Sequence, residues 1–197
     1  MGTAPSRDSA GTVPGAQTAA PSPPSGEAPH ATAPAPAPAP APVASAGLVV
    51  LDASTSCGIP GFQTELLRQI NSARSTARQC GADSMPVVSP LTWNDRLFSA
   101  AARHSKDMAQ NSYFSHTSLD GRSLGQRVRN EGYVWTAVGE NIAAGQSSVN
   151  AVVSGWLSSP GHCANIMRTN YNHVAVACVR QAGSSYGSYW TMVLARP

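Results

Sequence analysis

Three residues in the second half of the chain carry side chains suited to acid–base or metal chemistry: His116, Glu140 and His162. His116 follows Phe114-Ser115 in a stretch with no helical period. Glu140 stands between Gly139 and Asn141 inside an apolar segment, and His162 follows Ser159-Pro160-Gly161 at a helix boundary. A carboxylate in apolar surroundings is costly unless it is paired or ligated, and two imidazoles are its natural partners. Two His and one carboxylate can hold a divalent cation such as zinc and leave a coordination position open. The same three groups can equally form a hydrogen-bonded structural network, and spacing alone leaves both readings open.

The other histidines read more plainly. His104 falls on the apolar stripe of a helix, where a satisfied core histidine is expected. His173 precedes a strand and is expected at the surface, and His30 has no role that the sequence supports. There is no HExxH helix and no GxSxG elbow. Ser115 and Ser159 lie near His116 and His162 in sequence, but that proximity does not make a nucleophile–base pair. No catalytic residue is therefore assigned.

The elements that must position these residues follow from hydrophobic period. Phe62–Gln79 reads as a helix, with Leu66, Leu67, Ile70 and Ala73 on one face. Gly81–Pro90 is expected as a loop and Leu91-Thr92-Trp93 as a short apolar lead-in. Asn94 is placed to cap a second helix, with Asp95 in its first turn. Its stripe is Leu97, Ala100, Ala101, His104 and Met108, and its alanines predict close packing on a neighbour. Ser123–Gly132 predicts a third, short helix with Leu124 and Val128 facing inward. Val138–Ala144 is strand-like. Val149–Leu157 predicts a fourth helix, buried through Val152, Val153 and Trp156, and Cys163–Met167 one further turn. His173–Arg180 and Tyr186–Ala195 alternate with period two and predict a hairpin. Helices followed by an antiparallel hairpin argue for an α+β fold with helices on a small central sheet.

Composition sets the frame. Beyond Met1, Val13 and Val43, residues 1–47 of the 197 carry no large apolar side chain, and Ala33–Pro42 alternates Ala and Pro. Each proline there lacks an N–H and restricts the residue before it, so a solvated polyproline II spacer is expected. The division is a tail over 1–56 and one domain over 57–197. The net charge of +3 is small and Lys106 is the only lysine, so nucleic acid is not expected as a partner. No apolar run approaches the ~18 residues of a membrane span. Cys57, Cys80, Cys163 and Cys178 form no CxxC pair, which disfavours thiolate zinc and predicts two disulfides in an oxidising, extracellular or periplasmic compartment. Met1–Ala20 carries no apolar core of the kind a secretory leader needs. Export by another route, or a start upstream, is expected.

Several segments occur in an order that resembles a known family: Leu91-Thr92-Trp93-Asn94, Ala101–Ala109, Phe114-Ser115-His116, Asp120-Gly121, Gly139-Glu140-Asn141-Ile142-Ala143 and Ser159–Met167. Together they resemble the bacterial branch of the CAP superfamily, also called SCP domains: cysteine-rich secretory proteins, antigen 5 and pathogenesis-related proteins. The resemblance covers about Phe62 to Arg196. It implies a three-layer α-β-α sandwich with a small antiparallel sheet, and a cleft lined by two His and two acidic residues that holds a divalent cation in some members. His116, Glu140 and His162 match three of the four, and Asn141 and Ser159 fall in the same cleft segments. The second acidic residue is replaced here, Ser159 being nearest to it, so the resemblance implies weaker metal affinity. Ala175-Val176-Ala177 stands where relatives often have Gly-Val-Gly, and its methyls are expected to crowd whatever packs on that strand. The resemblance also implies the pairing Cys80–Cys163, which leaves Cys57–Cys178. Three functions follow as expectations. The first is a monomeric secreted module binding a small apolar or cell-envelope ligand. The second is a structural or interaction protein at the cell surface. The third is a hydrolase using metal-bound water at His116 and His162, with Glu140 as ligand or base.

Overall fold

The computed structural model describes residues 47–197; the Ala-Pro run and His30 lie outside the described residues. Among the described residues five helices and six strands follow one another as α1 (Phe62–Arg74), β1 (Arg78–Cys80), β2 (Asp83–Met85), β3 (Thr92–Trp93), α2 (Asp95–Gln110), α3 (Leu124–Asn130), β4 (Ala137–Ala144), α4 (Val149–Ser158), α5 (Pro160–Ile166), β5 (His173–Arg180) and β6 (Ser188–Arg196).

Local chemistry sets most of these boundaries. The Asn94 side chain accepts from the amides of Arg96 and Leu97 at the start of α2. Ser123 and Gln126 form a reciprocal capping box on α3. The Ser148 hydroxyl accepts from the Ala151 amide at the start of α4. Ser159 ends α4 and opens α5, where Pro160 occupies a first-turn position that needs no N–H.

The central sheet has the order β3-β5-β6-β4. β5 and β6 form the expected hairpin, with Val176 opposite Met192, and β4 adds antiparallel to β6, with Glu140 opposite Val193. β3, read as a short apolar lead-in, pairs with the start of β5 in parallel. Because strand side chains alternate between faces, the hairpin supplies both layers. Val174, Val176, Trp190, Met192 and Leu194 pack with α1, α4 and α5. Ala175, Ala177, Val193 and Ala195 pack with Leu97, Phe98, Ala100, Ala101, Ala102 and Val128 of α2 and α3. The result is the α-β-α sandwich. The methyls of Ala175 and Ala177 meet the alanine-rich face of α2, so each alanine set makes room for the other.

Two boundaries differ from the sequence reading. α1 stops at Arg74 rather than Gln79. The Arg74 side chain is buried and donates to the carbonyls of Ser89, Ile166 and Arg168, and the chain beyond it turns into the β1–β2 hairpin through Gly81, at φ +67°. Residues 47–56, assigned to the tail, belong to the fold. The Val49 amide donates to Ser99 Oγ at 2.9 Å, Leu51 packs on both cores, and Ser56 bridges to Cys178. The disulfides are Cys57–Cys178 and Cys80–Cys163. The first fixes the N-terminal segment to β5; the second fixes the β1–β2 hairpin to α5.

Candidate functional site

β4 is an edge strand, and the functional side chains gather on it and around it. Glu140 and Asn141 are consecutive, so they leave on opposite faces. Glu140 turns toward the α2–α3 layer and Asn141 toward α5, and each holds a histidine segment.

On the first side, Glu140 Oε1 lies 2.8 Å from Nδ1 of His116, and Arg127 Nη2 donates to Glu140 Oε2 at 2.5 Å. The Arg127 and Glu140 side chains are 4% and 3% exposed, whereas that of His116 is 58% exposed. Arg127 Nη1 donates to the His116 carbonyl at 2.8 Å and also reaches Ser118 Oγ and the Arg122 carbonyl. One buried guanidinium thus holds both the carboxylate and the loop that carries its imidazole partner. His104 supports the same loop from α2. Its Nε2 lies 2.9 Å from the Ser115 carbonyl, so that nitrogen is the donor, and Nδ1 faces Ser118 Oγ at 3.4 Å. Burial pushes the His104 pKa below its ordinary value.

On the second side, Asn141 Nδ2 donates to the His162 carbonyl at 3.0 Å, and Asn165 Nδ2 donates to Asn141 Oδ1 and to the Glu140 carbonyl. Trp156 Nε1 donates to the Ile142 carbonyl. Side chains from α4 and α5 therefore take up backbone acceptors along the outer edge of β4, as an exposed edge requires. His162 is half-buried; burial, then the charge of neighbouring His116, lowers its pKa. His162 and Ser159 line a groove of about 380 Å³ with Phe114, Ile142, Trp156 and Tyr186.

The residues singled out in the sequence thus take different places. His162 and Ser159 line the groove. His116 is at the surface, paired to Glu140. Glu140 and Asn141 are buried and hold the two histidine segments; neither lines the groove. His104 is a core histidine, as its stripe position implies. His173 is less open than expected, with Nδ1 2.7 Å from the Tyr133 hydroxyl. Arg127 escaped the sequence reading. Its only signal is its spacing, three residues after Leu124 on the inward face of α3.

The three-residue metal set does not fit the geometry. Both oxygens of Glu140 are committed, one to His116 and one to Arg127, and the cation that neutralises it is the guanidinium. Among the described residues no group of three or more His, Cys, Asp or Glu side chains is placed to hold a metal ion. Two imidazoles alone would fall short of the three protein ligands that catalytic zinc ordinarily has.

A sandwich of this topology, with two histidine segments braced across an edge strand, is a CAP-type arrangement. The chain belongs to the CAP (cysteine-rich secretory protein) family, whose model matches residues 67–194. It is 35% identical over 104 residues to uncharacterized protein YkwD of Bacillus subtilis (strain 168), covering 53% of this chain and 38% of that protein. It is 38% identical over 95 residues to uncharacterized membrane protein YlbC of the same strain, covering 48% of this chain and 27% of that protein. The matches therefore span well under half the length of these relatives. Among solved structures, an extracellular protein containing a SCP domain from Bacillus anthracis str. Ames superposes with a TM-score of 0.53 at 27% identity. That match covers 69% of this chain and 42% of the other.

Proposed function

We propose that this protein is an extracytoplasmic binding module that takes a small apolar ligand in the groove beside His162. The observation that carries this reading is the groove itself. Its volume falls in the range of small-molecule pockets, aromatic and aliphatic side chains wall it, and His162, Ser159 and Gln146 supply the polar groups. Phe114 and Tyr186, 43% and 50% exposed, meet in a tilted contact with ring centroids 5.8 Å apart on its rim. Large aromatics left open beside an apolar trough indicate a recognition surface rather than an unfinished core. The two disulfides support a location outside the reducing cytoplasm, as does the similarity to an extracellular SCP protein. The metal-hydrolase reading loses its carboxylate, because Glu140 is already bound by two partners.

Gly155 on α4 gives a direct test. It lines the groove, and a Cβ there would meet nothing within 4 Å. Gly155→Phe places a ring at the trough from a position where its Cβ is unobstructed, and removes a helix-interior glycine, itself unfavourable. Saturable enhancement of Nile red fluorescence is expected for the natural sequence and should be lost in Gly155→Phe, with the melting temperature unchanged or raised. Equal dye binding by both proteins would refute the proposal.

A further inference from the structure

A second groove, larger at about 690 Å³, shares no lining residue with the one beside His162. The N-terminal segment, α2 and the end of β5 form its walls. Ala102, Lys106 and Gln110 project from one face of α2 at i, i+4 spacing. Val49, Val50, Ala53 and Val179 add apolar surface, and Arg103 and Arg180 join Lys106 as cations. Asp52 is the one acid among these lining residues. Its carboxylate accepts from the Ser54 hydroxyl and amide and the Thr55 amide, which hold its pKa below the ordinary value. Arg103 is engaged by Glu131 at 2.8 Å and by the Gly47 carbonyl at 3.0 Å. Lys106 and Arg180 are exposed and take part in none of the ion pairs among the described residues.

We propose that this groove binds an anionic amphiphile, with a carboxylate or phosphate head at Lys106 and Arg180 and a single apolar chain along Val49, Ala102 and Val179. The charge on the lining favours an anion: Lys106 and Arg180 stand outside the ion pairs among the described residues, and the one acid is already satisfied within its own turn. The apolar surface calls for a chain as well as a head, because surface cations alone hold a small anion weakly. Lys and Arg suit this arrangement, since their stems cover apolar surface while their charges stay at the rim. Each methylene buried should tighten binding about fourfold, so chain length is a readout that an ion on exposed cations would not give. The proposal does not depend on the groove beside His162 taking a ligand.

The test is calorimetric titration of the full chain with sodium decanoate, sodium dodecanoate and dodecyl phosphate below their micelle concentrations, with dodecyltrimethylammonium as the opposite-charge control. Dodecanoate is expected to bind roughly fifteenfold more tightly than decanoate, and the ammonium compound much more weakly. Lys106→Glu/Arg180→Glu should lose at least tenfold in affinity for either anion. Lys106→Gln/Arg180→Gln should fall between, and thermal melts should confirm that each variant is folded. Gly155→Phe should bind as the natural sequence does, which separates this groove from the other. Flotation with phosphatidylglycerol against phosphatidylcholine vesicles distinguishes a membrane headgroup from a free amphiphile; charge-dependent binding in either arm supports the proposal. Binding that ignores the charge reversal, fails to depend on chain length, or disappears in Gly155→Phe would overturn it, as would no binding in any arm.

Discussion

Arg127 and Glu140 form a buried pair at 2.5 Å with both side chains shut from solvent, and most of what the site can do depends on it. Removing one partner of such a pair leaves the other charge buried without compensation, a loss of about 3–5 kcal/mol. Glu140→Gln is therefore expected to lower unfolding free energy by that order in urea titrations. Replacing both residues, as Arg127→Met/Glu140→Leu, should recover much of it. Acid should weaken the fold through the histidines. His104 and His162 both have pKa values lowered in the folded state, so below the ordinary histidine pKa of about 6.5 the unfolded chain binds more protons. Stability should fall as the pH drops below about 6.5 and level off once it is below the lowered folded-state values. His104→Gln should flatten that slope in thermal melts taken across the range. His116, Glu140 and His162 were legible in the sequence because their short motifs occur in order. Arg127 was not, because either of the two arginines on a seven-residue helix looks like any solvated cation until the fold shows what it faces.

At the scale of elements, β4 shows how closely the layers meet. A Cβ on Gly139 would lie 2.4 Å from the Tyr171 hydroxyl, and Tyr171 is buried beneath the strand. Gly139→Ala should cost about 1–3 kcal/mol by overpacking. Tyr171→Phe removes the nearest atom, so a double-mutant cycle read by urea denaturation should show the two changes cancelling in part. Strictly additive losses would place the strain elsewhere. Long periodic elements were readable: α2, α4 and the β5–β6 hairpin each carry their burial pattern over eight or more residues. The three-residue strands β1 and β2 carry no period to read. Their place depends on the local turn at Gly81, and on the Cys80–Cys163 bridge and the carbonyls that Arg74 gathers, which are long-range facts. Residues 48–51 looked like tail for the opposite reason: four apolar residues beside a Pro/Ala run cannot announce that their partner is the far side of α2.

For the whole molecule, the two disulfides divide the labour of holding the layers. Cys57–Cys178 spans 121 residues and Cys80–Cys163 spans 83. In the chain-entropy model each closure is worth about 4–5 kcal/mol, so either double alanine variant should lose stability of that order. Their local effects should differ. Without Cys57–Cys178 the N-terminal segment is left with the packing of Val49 and Leu51 and a few hydrogen bonds, among them Val49 to Ser99 and the exchange of Cys57 and Cys178 amides with the carbonyls of Cys178 and Thr55. Amides over residues 49–58 should then lose hydrogen-exchange protection while β4 and α5 keep theirs, and the groove beside Lys106 should fail before the one beside His162. Without Cys80–Cys163 the order should reverse: the β1–β2 hairpin and α5 should loosen first. His162 is carried on α5, so Nile red binding should weaken while the Lys106 groove is spared. Hydrogen-exchange mass spectrometry of the two variants side by side reads both outcomes. Matching protection maps would mean that the sandwich opens as one unit and that neither bridge belongs to a particular groove.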